Sequence, residues 1–362
     1  METIIRKIDA ADMNAADFAE AAEILRNGGL VAFPTETVYG LGGDATNPEA
    51  SAKIYAAKGR PSDNPLIVHI ADEADLEKIC DTGNHGYHGD DTEQINKAHL
   101  LARHFWPGPL TMILPKGDMI PGQTTGGLDT VAVRFPSHPV AQAMIRAAGI
   151  PIAAPSANLS GRPSTTRAEH VIEDLNGRVD MIIDSGSSDI GLESTIVDLT
   201  CSPPLVLRPG YISIEELRTV LPDIEYDKAI ISKTADPNIR PKAPGMKYRH
   251  YAPKGDLTVF EGTAGAVINA INKAVEDRKA EGYSTGVMAS EEFADRYVCD
   301  NIKILGSREH EEEIAAHLFD VLRSFDTDGT AYIFGECFTD GNLSAAIMNR
   351  LIKAAGYHII KV

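Results

Sequence analysis

A short apolar strand that runs into a polar, glycine-containing turn is the feature that most constrains this sequence. Residues 30–33 are apolar, and the stretch Val31 to Gly42 reads VAFPTETVYGLG. A strand that ends in polar backbone places functional groups at the carboxyl end of a sheet, where α/β proteins bind ligands. A tight connection in which Thr35 caps a turn and Gly40 supplies a positive φ explains the same residues. The stretch alone leaves both interpretations open.

The same pattern of an apolar strand beside a polar turn recurs further along the chain. It is found in PIAAPSANLSGRPS, in DSGSSDIGLESTIVDL and in LVLRPG. Basic residues accompany these strand ends and turns, namely Lys58, Arg60, Arg134, Arg162 and Arg208. Clustered guanidinium groups suit bidentate binding of phosphate or carboxylate. The pattern predicts a nucleotide or polyphosphate ligand, although an arginine in a strand, such as Arg134, is equally compatible with a solvated face.

Length and charge limit the classes of function. A chain of 362 residues exceeds what one core usually serves, so two unequal domains are expected. The formal charge of −18 disfavours nucleic-acid binding through general electrostatics, so any anion site must be a local basic pocket. The four cysteines form no CxxC pair, and no apolar run reaches the length of a membrane span. We expect a cytoplasmic protein with no membrane partner and with reduced thiols.

One local pattern predicts where two of the basic residues lie. Asn47 and Pro48 are typical of an N-cap and first turn, and they predict a helix through about Ala57. Lys58 and Arg60 follow at its end, just before an apolar strand at residues 66–70. The helix therefore delivers two cations beside a strand.

The pattern of apolar and polar residues changes after Gly210. The stretch from Pro222 to Pro253 has poor periodicity and predicts a linker, and its KYRHY run (247–251) suits closure over an anionic ligand better than passive spacing. From Leu257, strands alternate with helices at about 264–280, 311–324 and 343–355, which predicts a small parallel Rossmann-like domain. This domain lacks GxGxxG, so no nucleotide is assigned to it. The predicted parts are a catalytic domain (1–212), a helix and lid (213–254) and a C-terminal domain (255–362).

Familiar catalytic motifs are missing from the sequence. It contains no Walker A loop, no GxSxG and no HExxH. His85 and His88 lie in an acidic insertion at 81–93 that we interpret as solvated surface, because nothing nearby completes a metal-ligand set. Hydroxyl-rich turns with several cations and no evident nucleophile favour phosphoryl or nucleotidyl transfer, which depends on positioning and charge neutralisation.

Several multi-residue motifs, in order, resemble one known family. They are PTETVYGLG, KGRPSDNPLIVHI, WPGPLT, GLDTVAVRFP, PIAAPSANLSGRPS, and ESTIVDL followed by LRPG. The sequence is similar to the YrdC-type threonylcarbamoyl-adenylate synthases from about Ile4 to Gly210, and the linker and trailing domain resemble the family's long two-domain form. The resemblance implies an α/β fold, with a twisted catalytic domain that carries a concave, positively charged cleft.

The resemblance also implies a reaction. L-Threonine, bicarbonate or CO₂, and ATP would yield threonylcarbamoyl-AMP and pyrophosphate, with Mg²⁺ accompanying ATP. The product would supply the N6-threonylcarbamoyl group of tRNA adenosine 37 through a separate downstream transferase complex, without stable tRNA binding by this chain.

Site residues are implied by motif match. Lys58 and Arg60 would be catalytic, acting on phosphate. The implied threonine-binding residues are Thr37, His69, Arg134 (for the carboxylate), Ala154 (main chain) and Ser194. The implied ATP-binding residues are Arg60, Asn64, Thr130, Ser156, Asn158, Ser164, Arg208, His250 and Tyr251.

Two other functions remain open at this point. The cleft of this fold could hold RNA backbone as a binding module, although the net charge opposes high affinity. A hydrogenase-maturation carbamoyl-adenylate enzyme shares the YrdC domain. Such chains are expected to carry acylphosphatase and zinc-finger segments; this sequence shows neither, and it has too few cysteines.

Overall fold

The computed structural model describes residues 2–81, 91–231, 242, 250–339 and 341–362. Most of the acidic insertion and the first three residues of the KYRHY run lie outside this part of the chain. The chain divides into two compact units. The first comprises Met1–Ser160, Thr165–Asp189 and Glu193–Lys247, and the second comprises Gly161–Ser164, Ile190–Leu192 and Tyr248–Val362. In the described ranges, no helix is long and apolar enough to cross a membrane.

The first unit is built on one mixed sheet, which has eleven strands within the described residues. The strands are β1 (Ile4–Lys7), β2 (Val31–Phe33), β3 (Gly40–Asp44), β4 (Ile67–His69), β5 (Leu110–Pro115), β6 (Thr130–Arg134), β7 (Ile152–Ala153), β8 (Met181–Asp184), β9 (Thr195–Asp198), β10 (Leu205–Arg208) and β11 (Glu225–Tyr226). Their order in the sheet is β1-β8-β2-β3-β7-β4-β6-β5-β9-β10-β11. The pairs β4–β6 and β5–β9 are parallel, whereas β5–β6 and β9–β10 are antiparallel.

Helices accompany this sheet along the chain. They are α1 (Ala19–Arg26), α2 (Pro48–Lys58), α3 (Leu76–Ile79), α4 (Asp91–Phe105), α5 (Pro139–Ala148), α6 (Ala168–Leu175), α7 (Ile214–Val220) and α8 (Lys228–Ile231). Short 3-10 turns at Ala15–Phe18 and Glu73–Asp75 precede α1 and α3. Asn14 caps the first of these turns by accepting a hydrogen bond from the Ala16 N–H.

The central strands bury both faces. Because successive side chains of a strand point to opposite faces, Val68 and Val133 join one large core while Ile67 and Ala132 join a small cluster on the other side. That small cluster also contains Ile113. The face is apolar only in its middle, so residues one pleat further along the same strands are available for a polar site.

Helix α2 has clear start and stop signals. The Asn47 side chain accepts a hydrogen bond from the Glu49 N–H at 2.9 Å, and Pro48 occupies the first turn. Gly59 ends the helix in the left-handed region at φ 61°. Lys58 is therefore the last helical residue, and its side chain is buried. The helix predicted from Asn47 is confirmed.

The second unit contains a parallel sheet. Its strands are β12 (Asp256–Glu261), β13 (Thr285–Ala289), β14 (Ile302–Ile304), β15 (Tyr332–Glu336) and β16 (Ile359–Lys361), and its helices are α9 (Ala264–Ala280), α10 (Glu311–Thr327) and α11 (Ser344–Ala354). The strand order is β14-β13-β15-β12-β16, with every pair parallel. The predicted α/β fold class, with a parallel C-terminal domain, is confirmed. The concave cleft of the first unit stays a prediction.

Removing the cap of α2 tests its contribution. We expect Asn47→Ala to lower the free energy of unfolding by about 1 kcal/mol, because the Glu49 N–H loses its acceptor. Asn47→Asp keeps an acceptor and should stay close to the wild type. Urea unfolding of the full chain measures both variants, and equal midpoints for alanine and aspartate would show that the cap contributes nothing.

Candidate active site

A row of polar side chains crosses the central strands on the face of the small apolar cluster. His69 lies opposite Arg134 in the parallel register of β4 and β6, and Thr111 lies opposite Arg134 in the antiparallel register of β5 and β6. The Thr111 and Ser194 hydroxyls are 2.7 Å apart. Arg208 donates to the Ser194 carbonyl at 3.0 Å and to its hydroxyl at 3.1 Å. Sheet register therefore brings together residues far apart in sequence.

Arg134 is buried and forms an ion pair. Its side chain is 5% exposed, and Nη2 lies 2.7 Å from Oε1 of Glu36, whose side chain is 7% exposed. The alternative that this strand arginine lies on a solvated face is therefore wrong. Burying a guanidinium costs several kcal/mol unless it is paired, so Glu36 compensates Arg134. Glu36 follows β2 and lies in the stretch VAFPTETVYGLG.

The turn after β2 is organised by Thr35. Its hydroxyl donates to the Val38 carbonyl at 2.6 Å and accepts from the Thr37 and Val38 N–H groups at 3.2 Å. The Thr37 hydroxyl lies 2.9 Å from that of Thr35, and Thr37 is fully buried. Thr35 caps the turn as predicted, and it also fixes the backbone on both sides of Glu36.

The positive φ expected at Gly40 is wrong, because Gly40 is the first residue of β3 and is not in the left-handed region. Its lack of a side chain matters for packing instead. A Cβ at Gly40 would lie 3.2 Å from the Phe33 ring and 3.4 Å from the Ala154 Cβ. At Gly42 it would lie 2.9 Å from both Phe33 and Ile152. Because both positions lack a side chain, β2 and β7 can pack closely against β3.

His69 is held as a neutral ring. Burial, and secondly the Arg134 guanidinium, lower the pKa of His69 to about 3. Its Nδ1 donates to the Ile67 carbonyl at 3.1 Å, and the Phe33 ring meets it edge-on at 6.2 Å. Ala154 donates its N–H to the same Ile67 carbonyl at 2.8 Å. The Ala154 N–H is thus already hydrogen-bonded. The main-chain contact to threonine that the family resemblance implies would therefore be made by the Ala154 carbonyl.

Lys58 joins two other predicted residues. Its Nζ donates to the carbonyl oxygens of Ser156 and Asn158. The Ser156 hydroxyl donates to Oδ1 of Asn158 at 2.5 Å. Ser156 also forms a β-bridge with Gly40, so this group adjoins the turn after β2. The end of α2 and the SAN segment therefore form one cluster.

Arg60 lies next to Asn64. Its Nε donates to the Asn64 carbonyl at 3.2 Å and its Nη2 to the Pro65 carbonyl at 3.1 Å. Oδ1 of Asn64 is buried and, among the described residues, accepts no hydrogen bond. Thr130 is half-buried at the first position of β6, at the opposite end of that strand from Arg134. The structure thus separates Thr130 from the residues around Arg134.

Three of the predicted ATP-binding residues, Ser164, His250 and Tyr251, belong to the second unit. Arg323, which is buried, donates to the Pro163 carbonyl at 2.6 Å and to the Ser164 carbonyl at 3.4 Å. Tyr251 is buried at φ 65°, with its ring 5.1 Å from Phe319 and 5.4 Å from His250.

Arg162 also belongs to this unit, where Nη2 lies 3.7 Å from Asp326.

Sequence reasoning assigned no role to Thr111, which belongs to the row, or to Glu36, the ion-pair partner of Arg134. Glu36 was available as the only acidic residue of the TETVYG motif. Thr111 was available as a lone hydroxyl in the apolar strand LTMIL. Neither pattern shows which strand neighbours the other, so the ion pair and the hydroxyl pair needed the sheet register.

Comparison with known proteins places this site in a family. A family model described as "Telomere recombination" (Sua5, YciO and YrdC) matches residues 23–210, and one described as "Threonylcarbamoyl-AMP synthase, C-terminal domain" matches residues 212–356. The threonylcarbamoyl-AMP synthase of Bacillus subtilis is 47% identical over 354 residues, which cover 98% of this chain and 97% of the relative. The chain belongs to the threonylcarbamoyl-AMP synthase family. It has the family's two-domain form.

Two solved structures of this family are similar along the whole chain. The structure of Pyrococcus abyssi Sua5 in complex with L-threonine has a TM-score of 0.89 and 44% identity, and the match covers 100% of both chains. A P. abyssi Sua5 variant with a histidine and the next tyrosine replaced by alanine has a TM-score of 0.90 and 44% identity, over 99% of this chain and 98% of that one.

The neutral state of His69 has a consequence for acid stability. Its folded-state pKa of about 3 lies below the ordinary value of about 6.5, so between these values the unfolded chain binds more protons. The contribution of the neutral His69 ring to the free energy of unfolding is fully present above the ordinary pKa and is lost as the pH falls toward the folded-state pKa. From about pH 6 to about pH 4, the wild type should lose up to about 1.4 kcal/mol per pH unit more than His69→Gln.

Urea unfolding at several pH values measures this difference. His104→Gln removes an exposed histidine and serves as the matched control, which should keep the wild-type slope. Identical slopes for the wild type and His69→Gln would contradict a buried neutral ring.

Proposed function

We propose that this protein makes L-threonylcarbamoyl-AMP and pyrophosphate from L-threonine, bicarbonate or CO₂, and ATP. The observation that carries the proposal is the buried Arg134 in a row of hydroxyl and imidazole groups, within a chain 47% identical to a named synthase over 98% of its length. A guanidinium in such a place suits the carboxylate of a small hydroxylated amino acid.

Threonine would bind along the row. Arg134 would take its carboxylate, while Thr37, neutral His69, Ser194 and the Ala154 carbonyl would meet its hydroxyl and amino groups. His69 lies opposite Arg134 on the neighbouring strand, and Ser194 contacts Thr111, which is also opposite Arg134. Thr37 adjoins Glu36, the ion-pair partner of Arg134. The L-threonine complex of P. abyssi Sua5, which is similar over the whole chain, supports a threonine site in this protein.

ATP would bind at the neighbouring clusters. Lys58 and Arg60 would lie against the phosphates, with Ser156, Asn158 and Asn64 beside them. The buried amide oxygen of Asn64, for which no hydrogen-bond partner is described, suits a ligand donor. Arg208 contacts Ser194, so it would lie where the threonine and nucleotide groups meet. The family resemblance also assigns Thr130, Ser164, His250 and Tyr251 to ATP binding.

The chemistry is that of two successive bond-forming steps. An unprotonated threonine nitrogen captures CO₂, and an oxygen of the resulting carbamate attacks the α-phosphorus of ATP. The bond from that phosphorus to the bridging oxygen breaks, and pyrophosphate leaves. Lys58 and Arg60 would offset the charge that develops on the leaving pyrophosphate.

Mg²⁺ would accompany ATP. Among the described residues, no group of three or more acidic, histidine or cysteine side chains could hold a metal ion. This suits Mg²⁺ bound mainly by phosphate oxygens and water, the usual arrangement in sites that bind nucleotide phosphates. Its chemistry would be charge neutralisation on the triphosphate.

The product would pass to a separate transferase complex that modifies tRNA. The net charge of −18 disfavours stable tRNA binding by this chain. All four cysteines are free thiols, which supports work in the reducing cytoplasm.

Pyrophosphate release by the purified protein tests the reaction. We expect release only when ATP, bicarbonate and threonine are all present. Arg60→Ala should lower kcat by about 100-fold or more, because phosphate charge loses its partner, without unfolding the protein. Arg218→Ala removes an exposed arginine of α7 and is the matched control. Turnover without threonine would exclude the proposed substrate.

The role of His250 and Tyr251 is tested by a double alanine variant. This is the one His-Tyr dipeptide in the sequence. If the pair binds ATP, the variant should raise the KM for ATP by about tenfold or more and leave the dissociation constant of threonine, measured by calorimetry without ATP, unchanged. Equal weakening of both ligands would indicate general destabilisation instead. Tyr211→Ala, which removes an exposed tyrosine, provides the control.

A further inference from the structure

Glu36 is a buried carboxylate to which the proposed reaction assigns no role. It is 5% exposed, and both of its carboxylate oxygens are buried. In the described part of the chain neither oxygen accepts a hydrogen bond of good geometry, and the ion pair with Arg134 is the contact that compensates its charge. A buried carboxylate ordinarily accepts two or more hydrogen bonds, so Glu36 has acceptor capacity to spare.

The charges of the site change when a carboxylate reaches Arg134. The guanidinium and Glu36 are balanced without ligand. A ligand that brings only a carboxylate would leave two buried anions for one cation, which is costly in a dry site. A zwitterion restores the balance, because its ammonium supplies the second cation. The pair Arg134 and Glu36 is therefore matched to an α-amino acid.

Glu36 is the group whose charge opposes that ammonium. Arg134 on β6 is a cation and a donor, and His69 on β4 is neutral, so it brings no charge that could balance the ammonium. His138 caps α5, with Nδ1 accepting from the Val140 N–H. The charge of Glu36, like that of Asp189, acts on His138. Of these groups, Glu36 is the anion that is paired with Arg134.

We propose that Glu36 binds the α-ammonium of threonine and accepts one of its protons before CO₂ is captured. This rests on the proposed role of Arg134 as the partner of the threonine carboxylate. One N–H bond breaks and one O–H bond forms, which leaves a neutral amine and a protonated Glu36. The amine lone pair then forms the N–C bond to CO₂ while one C–O π bond breaks to give the carbamate oxyanion, and the second nitrogen proton passes to solvent. Nothing is oxidised or reduced.

The backbone around Glu36 suits this role. The hydroxyl of Thr35 holds the N–H groups of Thr37 and Val38 and donates to the Val38 carbonyl. Glu36 therefore projects from a turn with fixed backbone, as a positioned proton acceptor requires. The same turn presents Thr37, so one structural element would contact both the ammonium and the hydroxyl of the substrate.

Calorimetry with two ligands tests the ammonium contact without any turnover. L-Threonine is compared with (R)-3-hydroxybutyrate, which keeps the carboxylate and the hydroxyl but lacks the ammonium. The wild type should prefer threonine by about 100-fold, and Glu36→Gln should reduce this preference to less than about tenfold. Glu49→Gln, an exposed change on α2, should keep the wild-type preference.

The outcomes separate the two proposals. If Arg134→Gln leaves the binding of both ligands unchanged, the proposed carboxylate site is wrong. If Arg134→Gln weakens both ligands but Glu36→Gln keeps the preference for threonine, only the role of Glu36 is overturned. Equal affinity of the wild type for both ligands also overturns it, and that measurement needs no variant to fold.

The proton transfer is tested by the pH dependence of turnover. Glu36→Gln should lower kcat at neutral pH by about 100-fold, and the loss should shrink as the pH rises and threonine becomes deprotonated in solution. A residue that only neutralises Arg134 would give a loss independent of pH. A lower KM for threonine in Glu36→Gln would show that Glu36 merely competes for Arg134, and would overturn the proposal.

Discussion

The site depends on the buried ion pair between Arg134 and Glu36. Each ion alone would be costly to bury, and removal of one partner of such a pair typically costs about 3–5 kcal/mol. The pair therefore lets a strand of the central sheet carry a guanidinium inside the protein. It also ties the turn after β2 to β6, two segments about a hundred residues apart in sequence. A charged ligand can bind here because the counter-charges are already in place.

The chain has a large negative net charge although its substrates are anions. Both are possible because the cations of the site are buried. The net charge of −18 describes the whole chain, whereas Lys58, Arg60, Arg134 and Arg208 are all at most 8% exposed. Three of them donate to carbonyl oxygens of the turns, which orient the cations. Electrostatic interactions are stronger in such surroundings than in water. Local charge, and not net charge, decides what this protein binds.

Much of the fold could be predicted from local signals. The start signal Asn47-Pro48 predicted the bounds of α2 to within a residue, and the alternation of strands and helices in the C-terminal domain did the same for α9. The positive φ considered for Gly40 is wrong, and the sequence left it open because a turn glycine and a glycine needed for close packing look alike. The environment of Arg134 stayed open because the strand pattern gives the face of a residue but not what covers that face. Glu36 and Thr111 were missed for the same reason.

The sequence by itself determined the α/β class, the parallel C-terminal domain and the family, because these follow from local periodicity and from motifs in order. Only the tertiary structure decided which polar groups meet. His69, Arg134, Thr111 and Ser194 share one row because of strand register, and register is a pairing between distant segments. The turn after β2 likewise belongs to the site because it contacts β6 through an ion pair. Its carboxylate at Glu36 faces a guanidinium that lies elsewhere in the chain.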